Sequence, residues 1–136
     1  MKFDTKIAII LREDLATWQK LNMTAFLVSG IAATVEGATG ENYEDASGNA
    51  YLPMFIQPVM VFAGSADQMR TVYERAMSEQ IRFSIFTEEL FSTGNDIDNR
   101  AAVKAVPCEA LKIVGMGMRH DKKIVDKVTK GLSLHK

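Results

Sequence analysis

The chain has 136 residues, with 16 Lys and Arg against 17 Asp and Glu, a net charge of -1. That is the length of one ordinary domain, so residues 1–136 read as a single domain, and near-neutrality removes the basic excess of a dedicated nucleic-acid binder. One cysteine, Cys108, excludes an intrachain disulfide and a Cys-based zinc site, and two histidines near the C-terminus, His120 and His135, leave little for a Ser–His–Asp relay.

The opening Met1–Lys6 is mixed in charge and runs straight into Lys6–Arg12, a nearly unbroken apolar segment. It lacks the basic and apolar regions of a secretory leader, and no apolar run reaches the roughly 18 residues of a membrane span, so a cytoplasmic location is expected. Lys6–Arg12 reads as a strand covered on both faces, followed by the polar turn Arg12-Glu13-Asp14-Leu15. From about Trp18 to Glu36 the period becomes helical, with Leu21, Ala25, Val28, Ala32 and Val35 on one stripe. The small residues Ala25, Ser29, Gly30, Ala32 and Ala33 suit close packing on a sheet, and Gly37 is placed to stop the helix.

Residues 37–55 are rich in Gly, Asn and Asp and read as a long loop holding a short hairpin. Its tyrosines, Tyr43 and Tyr51, read first as anchors onto the core, with a binding role for Tyr43 as the alternative. Val59–Phe62 reads as a second strand. Ser65-Ala66-Asp67-Gln68 fits a capping box, opening a helix whose apolar positions are Met69, Val72, Tyr73, Ala76 and Met77. Arg82–Phe86 alternates as a third strand. Residues 87–109 are polar and irregular, with a helical turn around Asp98–Lys104, and Cys108 reads as a small buried hydrophobe. Leu111–Met118 reads as a fourth strand whose Gly115 and Gly117 share a face against which something packs closely. Asp121 caps a last helix carrying Ile124, Val125 and Val128, with Gly131 beyond it.

Strands alternating with helices predict an α/β fold, a mostly parallel sheet covered on both faces. Right-handed crossovers bring the polar turns after strands one and three to the same carboxyl end, where open α/β sheets bind ligands. Arg12, Glu13, Asp14, Trp18 and Lys20 then meet Thr87-Glu88-Glu89. Charge is also uneven: residues 1–118 carry 10 basic and 15 acidic side chains, and residues 119–136 carry six basic and two acidic. The basic end reads as a solvated helix face, with phosphate contact as the alternative.

Two constellations carry chemistry. Arg12, Asp14, Trp18, Gln19, Lys20 and Asn22 gather charges, an indole and amides beside a helix N-terminus, which suits a polar or anionic ligand. They also fit a structural entry network in which Asp14 caps and Arg12 pairs with an acid. Thr87-Glu88-Glu89 and the stretch Ser92–Asp96, including Thr93 and Asn95, supply carboxylates and hydrogen-bonding groups. A carboxylate beside Lys20 could serve as general base on a water. Asn95-Asp96-Ile97-Asp98-Asn99 lacks the glycine and glutamate of a calcium loop, and no Gly-rich phosphate loop is present. No metal and no cofactor are expected.

Ile7–Leu15, then the second strand, capped helix and third strand in the same order, and finally Leu111–Gly117 with Ile124–Leu132, resemble type 2 peptidyl-tRNA hydrolases of archaea and eukaryotes. The run Arg12-Glu13-Asp14-Leu15-Ala16-Thr17-Trp18-Gln19-Lys20-Leu21-Asn22-Met23-Thr24-Ala25-Phe26-Leu27 is more closely similar to the opening of a bacterial family, the domain of unknown function numbered 2000. The resemblance implies a three-layer α/β/α fold like peptidyl-tRNA hydrolase type 2, with a four-stranded mixed sheet whose last strand is antiparallel, and a homodimer. It supplies no reaction. The hydrolases' Gly-Lys-Gly-Lys stretch is absent and only Lys20 matches their functional lysine. Their Asp-Ala-Gly turn is replaced by Thr87-Glu88-Glu89, with no Thr-Gln pair after it. Those losses remove charge suited to an RNA backbone, so tRNA is not the expected partner.

Three functions follow, in order. The first is a module binding a small polar or anionic ligand through Arg12, Trp18, Gln19, Asn22, Tyr43, Thr93 and Asn95. The second is a divergent esterase-type hydrolase of a peptidyl-tRNA or aminoacyl ester. There Lys20 stabilises charge, Glu88 or Glu89 activates water, and Asp14 or Asn22 orients the pair. The third is a homo-oligomeric interaction protein.

Overall fold

A computed structural model describes residues 2–136. The element order is β1 (Thr5–Arg12), α1 (Thr17–Thr34), β2 (Tyr43–Glu44), β3 (Ala50–Tyr51), β4 (Val59–Gly64), α2 (Ala66–Ser78) and β5 (Phe83–Thr87). A 3-10 turn at Glu88–Phe91, α3 (Asp96–Lys104), a second 3-10 turn at Cys108–Ala110, β6 (Ile113–Asp121), α4 (Lys122–Val128) and β7 (Ser133–Leu134) complete it. Among the described residues no helix is long and apolar enough to cross a membrane.

The apolar run of β1 lies at the centre of a five-stranded sheet of order β5-β6-β1-β4-β7, and Ile7, Ala8, Ile9 and Ile10 are wholly buried. Because side chains alternate along a strand, β1 feeds two cores. Ala8 and Ile10 join Met116 and Met118 of β6 under α2 and α4, with Met69, Val72, Tyr73, Val125 and Val128. Ile9 and Leu11 join Met23 and Leu27 of α1, Phe86 and Val114 on the opposite face. The expected three-layer arrangement follows from this division.

Strand directions differ from the parallel expectation. β1, β4 and β5 share one direction but only β1 and β4 are paired in parallel; β6 is antiparallel to both β1 and β5, and β7 is antiparallel to β4. The alternation of strands and helices misleads at one connection. Residues 88–112 stay at the carboxyl end of β5, and Thr87 pairs with Ile113. The chain therefore re-enters the sheet from the end it left. The expected four strands become five because the tail turns at Gly131, where φ is 94°, and pairs Leu134 with Phe62. Covering the β4 edge in this way satisfies backbone groups that a bare edge exposes.

The close approach at Gly115 and Gly117 is found. An added Cβ at 117 would meet Ser84 Oγ at 2.7 Å, Ile9 Cδ1 at 3.0 Å and the Leu27 carbonyl oxygen at 3.1 Å, so these glycines let α1 settle on the sheet. The capping box holds too: Ser65 Oγ accepts from Gln68 N and Gln68 Oε1 accepts from Ser65 N. The hairpin in the long loop is β2–β3, with Tyr43 opposite Tyr51. Both tyrosines are about half exposed, so they do not anchor the loop on the core. Instead Tyr51 donates to Asp45 Oδ2 at 2.7 Å, and Asp45 also accepts from Ser47 N, Asn49 N and Asn49 Nδ2. Those donors hold the Asp45 carboxyl down at about 2, with the Tyr51 hydroxyl the largest cause. Cys108 is exposed rather than buried, and Met77 faces solvent at the outer end of its helical stripe.

Candidate functional site

The turn after β1 and the turn after β5 meet at one end of the sheet, as their polar sequences predict. Arg12 Nη1 lies 2.7 Å from Glu88 Oε1 and its Nε lies 2.6 Å from Asp14 Oδ1. One guanidinium thus ties β1, the helix entry and the 3-10 turn together. The bond to Glu88 is the first cause raising the Arg12 pKa, and the bond from Arg12 is the first cause lowering that of Asp14. Nε and Nη1 of Arg12 are thus each engaged by a carboxylate, and two acids stand against one base in this cluster.

Beside this cluster lies a cleft of about 240 Å3, lined by Trp18, Asn22 and Phe26 of α1, Phe86 of β5, Leu90 and Phe91 of the 3-10 turn, and residues 93–96 with Asn99. Trp18 and Phe91 meet edge to face with centroids 6.0 Å apart, and Phe86 contacts Phe91 at 4.9 Å and Phe26 at 6.0 Å. An aromatic wall of this kind presents large, rigid apolar faces. Polar groups sit at the opposite rim. Asn95 caps α3, its Oδ1 accepting from Asp98 N at 2.9 Å, and Thr93 Oγ1 bonds to Asn99 Oδ1. The side-chain amide of Asn22 has no hydrogen-bond partner among the described residues, which leaves it available to a ligand. Asp96 is the one charged lining residue, its Oδ2 paired with Arg100 Nη1 at 2.5 Å, and no cationic side chain lines the cleft.

Of the residues singled out in the sequence, Trp18, Asn22, Thr93 and Asn95 therefore line one cleft, while Arg12, Asp14 and Glu88 form the adjoining ion cluster. Others stand elsewhere. Gln19 Oε1 accepts from Ala16 N at 3.0 Å and closes the first turn of α1. Tyr43 is on the β2–β3 hairpin and does not line the cleft. Lys20 Nζ lies 3.1 Å from His135 Nε2 of the tail, and among the described residues it pairs with no carboxylate. Glu89 likewise has no ion pair among the described residues. Sequence reasoning missed Phe26, Phe86, Phe91 and His135. The pair Leu90-Phe91, apolar inside an otherwise polar stretch, was the one signal that the segment after β5 turns back on a wall.

The model of a family described as "Protein of unknown function (DUF2000)" matches residues 5–136. A solved structure of a protein of unknown function from Agrobacterium tumefaciens strain C58 superposes with a TM-score of 0.96 at 49% sequence identity. The match covers 99% of this chain and 100% of that one. No curated protein matches the chain.

Proposed function

This chain belongs to the DUF2000 family of proteins of unknown function, and we propose that it is a binding module whose cleft takes a small planar ligand, neutral or cationic. The observation that carries this reading is the aromatic-walled cleft of about 240 Å3 whose lining holds no cationic side chain. Ligand sites combine apolar walls with a few placed polar groups, and this volume lies below the usual 300–1,000 Å3, so the ligand is small. A ring would pack against Trp18 and Phe91 while Asn22 supplies the hydrogen bond that fixes its orientation. Negative charge on the ligand is disfavoured, because Arg12 is already shared between Asp14 and Glu88. The test is a fragment screen of the full chain by NMR, read at the indole N–H of Trp18 and the side-chain amide of Asn22. Hits that move both support the reading. Hits that move neither, or no hits at all, overturn it.

The hydrolase alternative has less support. Glu88 Oε1 is held by the Arg12 guanidinium rather than turned to Lys20, and Lys20 Nζ faces His135. The kinship with peptidyl-tRNA hydrolases rests on the three layers and on an antiparallel β6 beside β1, and tRNA as a partner rests on nothing in the cleft.

Self-association is favoured by a separate observation. No charged residue lies between Leu21 and Val35, yet Trp18, Leu21 and Phe26 are 61%, 69% and 53% exposed. A helix apolar all round is normally buried. A second copy of the chain is the occupant that suits this face, since an uncharged surface meets its own two-fold image without repulsion. The three side chains expose on the order of 300 Å2 per chain. With the small residues between them, a two-fold contact nears the roughly 1,000 Å2 of a specific interface. Sedimentation equilibrium should show a dimer that Leu21→Glu converts to monomer; a wild-type monomer at every concentration overturns this.

A further inference from the structure

A second cavity, of about 400 Å3, opens at the other end of the sheet, between the last turns of α1 and the start of β5. Strand pairing ends with Phe83 opposite Met118; Arg82 and Arg119 are the next residue along each chain, and both line this cavity. Gly115 and Gly117 face α1, so alternation along β6 turns Arg119 to that side as well. Ser84 faces the same helix, its hydroxyl donating to the Leu27 carbonyl at 2.8 Å. Like charges directly opposed across an antiparallel pair are destabilising. Neither guanidinium has a carboxylate partner among the described residues; the polar contact of Arg119 is from its Nε to Gln57 Oε1 at 3.4 Å. The C-terminal end of α1 supplies about half a negative charge, too little to balance two positive ones. His120 lines the same cavity, and its Nδ1 is buried without a hydrogen-bond partner among the described residues. Buried polar atoms of that kind are few in a native protein and call for an explanation. Ile31 and Val35 of α1 give that side of the lining an apolar character.

We propose that this cavity binds an organic carboxylate carrying an apolar body. The carboxylate bridges Arg82 and Arg119, for which the planar guanidinium fork is well matched, and the apolar body lies along Ile31 and Val35. The site is independent of the aromatic cleft, so its failure would leave that reading untouched. The test is an NMR titration of the full chain with octanoate, octylamine and inorganic phosphate in parallel. Octanoate should saturate at millimolar concentration and shift the amides of residues 81–84 and 119–120 while leaving Trp18 unmoved. Arg82→Gln and Arg119→Gln should each weaken it about tenfold or more. Ligand-free Arg82→Gln, at an exposed position, should melt no lower than wild type, because a repulsion has been removed. Octanoate that fails to saturate overturns the proposal, as does binding indifferent to both substitutions. Phosphate or octylamine binding as tightly as octanoate overturns it equally.

Discussion

Gly117→Ala tests the packing of α1 on the sheet. The new Cβ would lie 2.7 Å from Ser84 Oγ and 3.1 Å from the Leu27 carbonyl oxygen. The hydroxyl can rotate away, but only by giving up its 2.8 Å bond to that same carbonyl. The carbonyl belongs to the helix backbone and can move only with α1. Overpacking of this kind costs about 1–3 kcal/mol, and the lost hydrogen bond about 1 kcal/mol more. Replacing a strand glycine returns about 0.5–1 kcal/mol of chain entropy. The net destabilisation is about 1–3.5 kcal/mol in urea unfolding, at an unchanged slope. Ser84→Ala, which removes only the hydroxyl, should cost about 1 kcal/mol. Gly30→Ala should act in the opposite sense: nothing lies within 4 Å of its added Cβ, and the position is exposed in mid-helix. A gain of about 0.5–1 kcal/mol is expected there. A Gly117→Ala protein as stable as wild type would refute the reasoning.

Removing the cap in Ser65→Ala should cost about 1 kcal/mol, read as a lower urea midpoint; no change would mean the capping box is idle. Arg12→Met should return the titration of Asp14 upward to the ordinary carboxylate range, followed by carboxyl carbon NMR. The sign follows from the lowered pKa of Asp14: its pairing stabilises above the ordinary range and is lost as pH falls through the depressed value. An Asp14 midpoint unmoved by the substitution contradicts that pairing. Asp45 obeys the same sign. Its folded pKa of about 2 keeps the β2–β3 hairpin intact down through the ordinary carboxylate range, and contacts between Tyr43 and Tyr51 should fade only as pH approaches that value. In Tyr51→Phe the fading should begin at higher pH, because the largest contribution to the depression is gone.

The parts of the fold governed by local rules were legible from residues. The apolar run of β1, the Ser65–Gln68 cap, the Asp121 cap and the Gly115–Gly117 contact surface each depend on near neighbours or on a single face. Strand direction was not legible, because it depends on which end of the sheet a connection returns to, and residues 88–112 give no periodicity that says so. The exposure of Tyr43 and Tyr51 escaped for a related reason: Asp45 satisfies the loop locally, so no core contact is needed. At the candidate site, the sequence brought Arg12 and Asp14 to Glu88 through the shared carboxyl end of β1 and β5. It did not yield the aromatic wall, which assembles from Phe26, Phe86 and Phe91 on three separate elements. Nor did it yield the partner of Lys20, which arrives with a tail strand only two residues long.

Trp18 is the sole tryptophan and forms part of the cleft wall, so at one fixed protein concentration the change in its emission on adding a ligand reports on that cleft. The most direct measurement is a fluorescence titration with benzamidine, benzamide and benzoate, which share one planar ring and differ in charge. Saturable change with benzamidine and benzamide, each binding about tenfold or more tightly than benzoate, is the predicted result. Benzoate binding as tightly as either, or an emission that none of the three alters, would contradict the account.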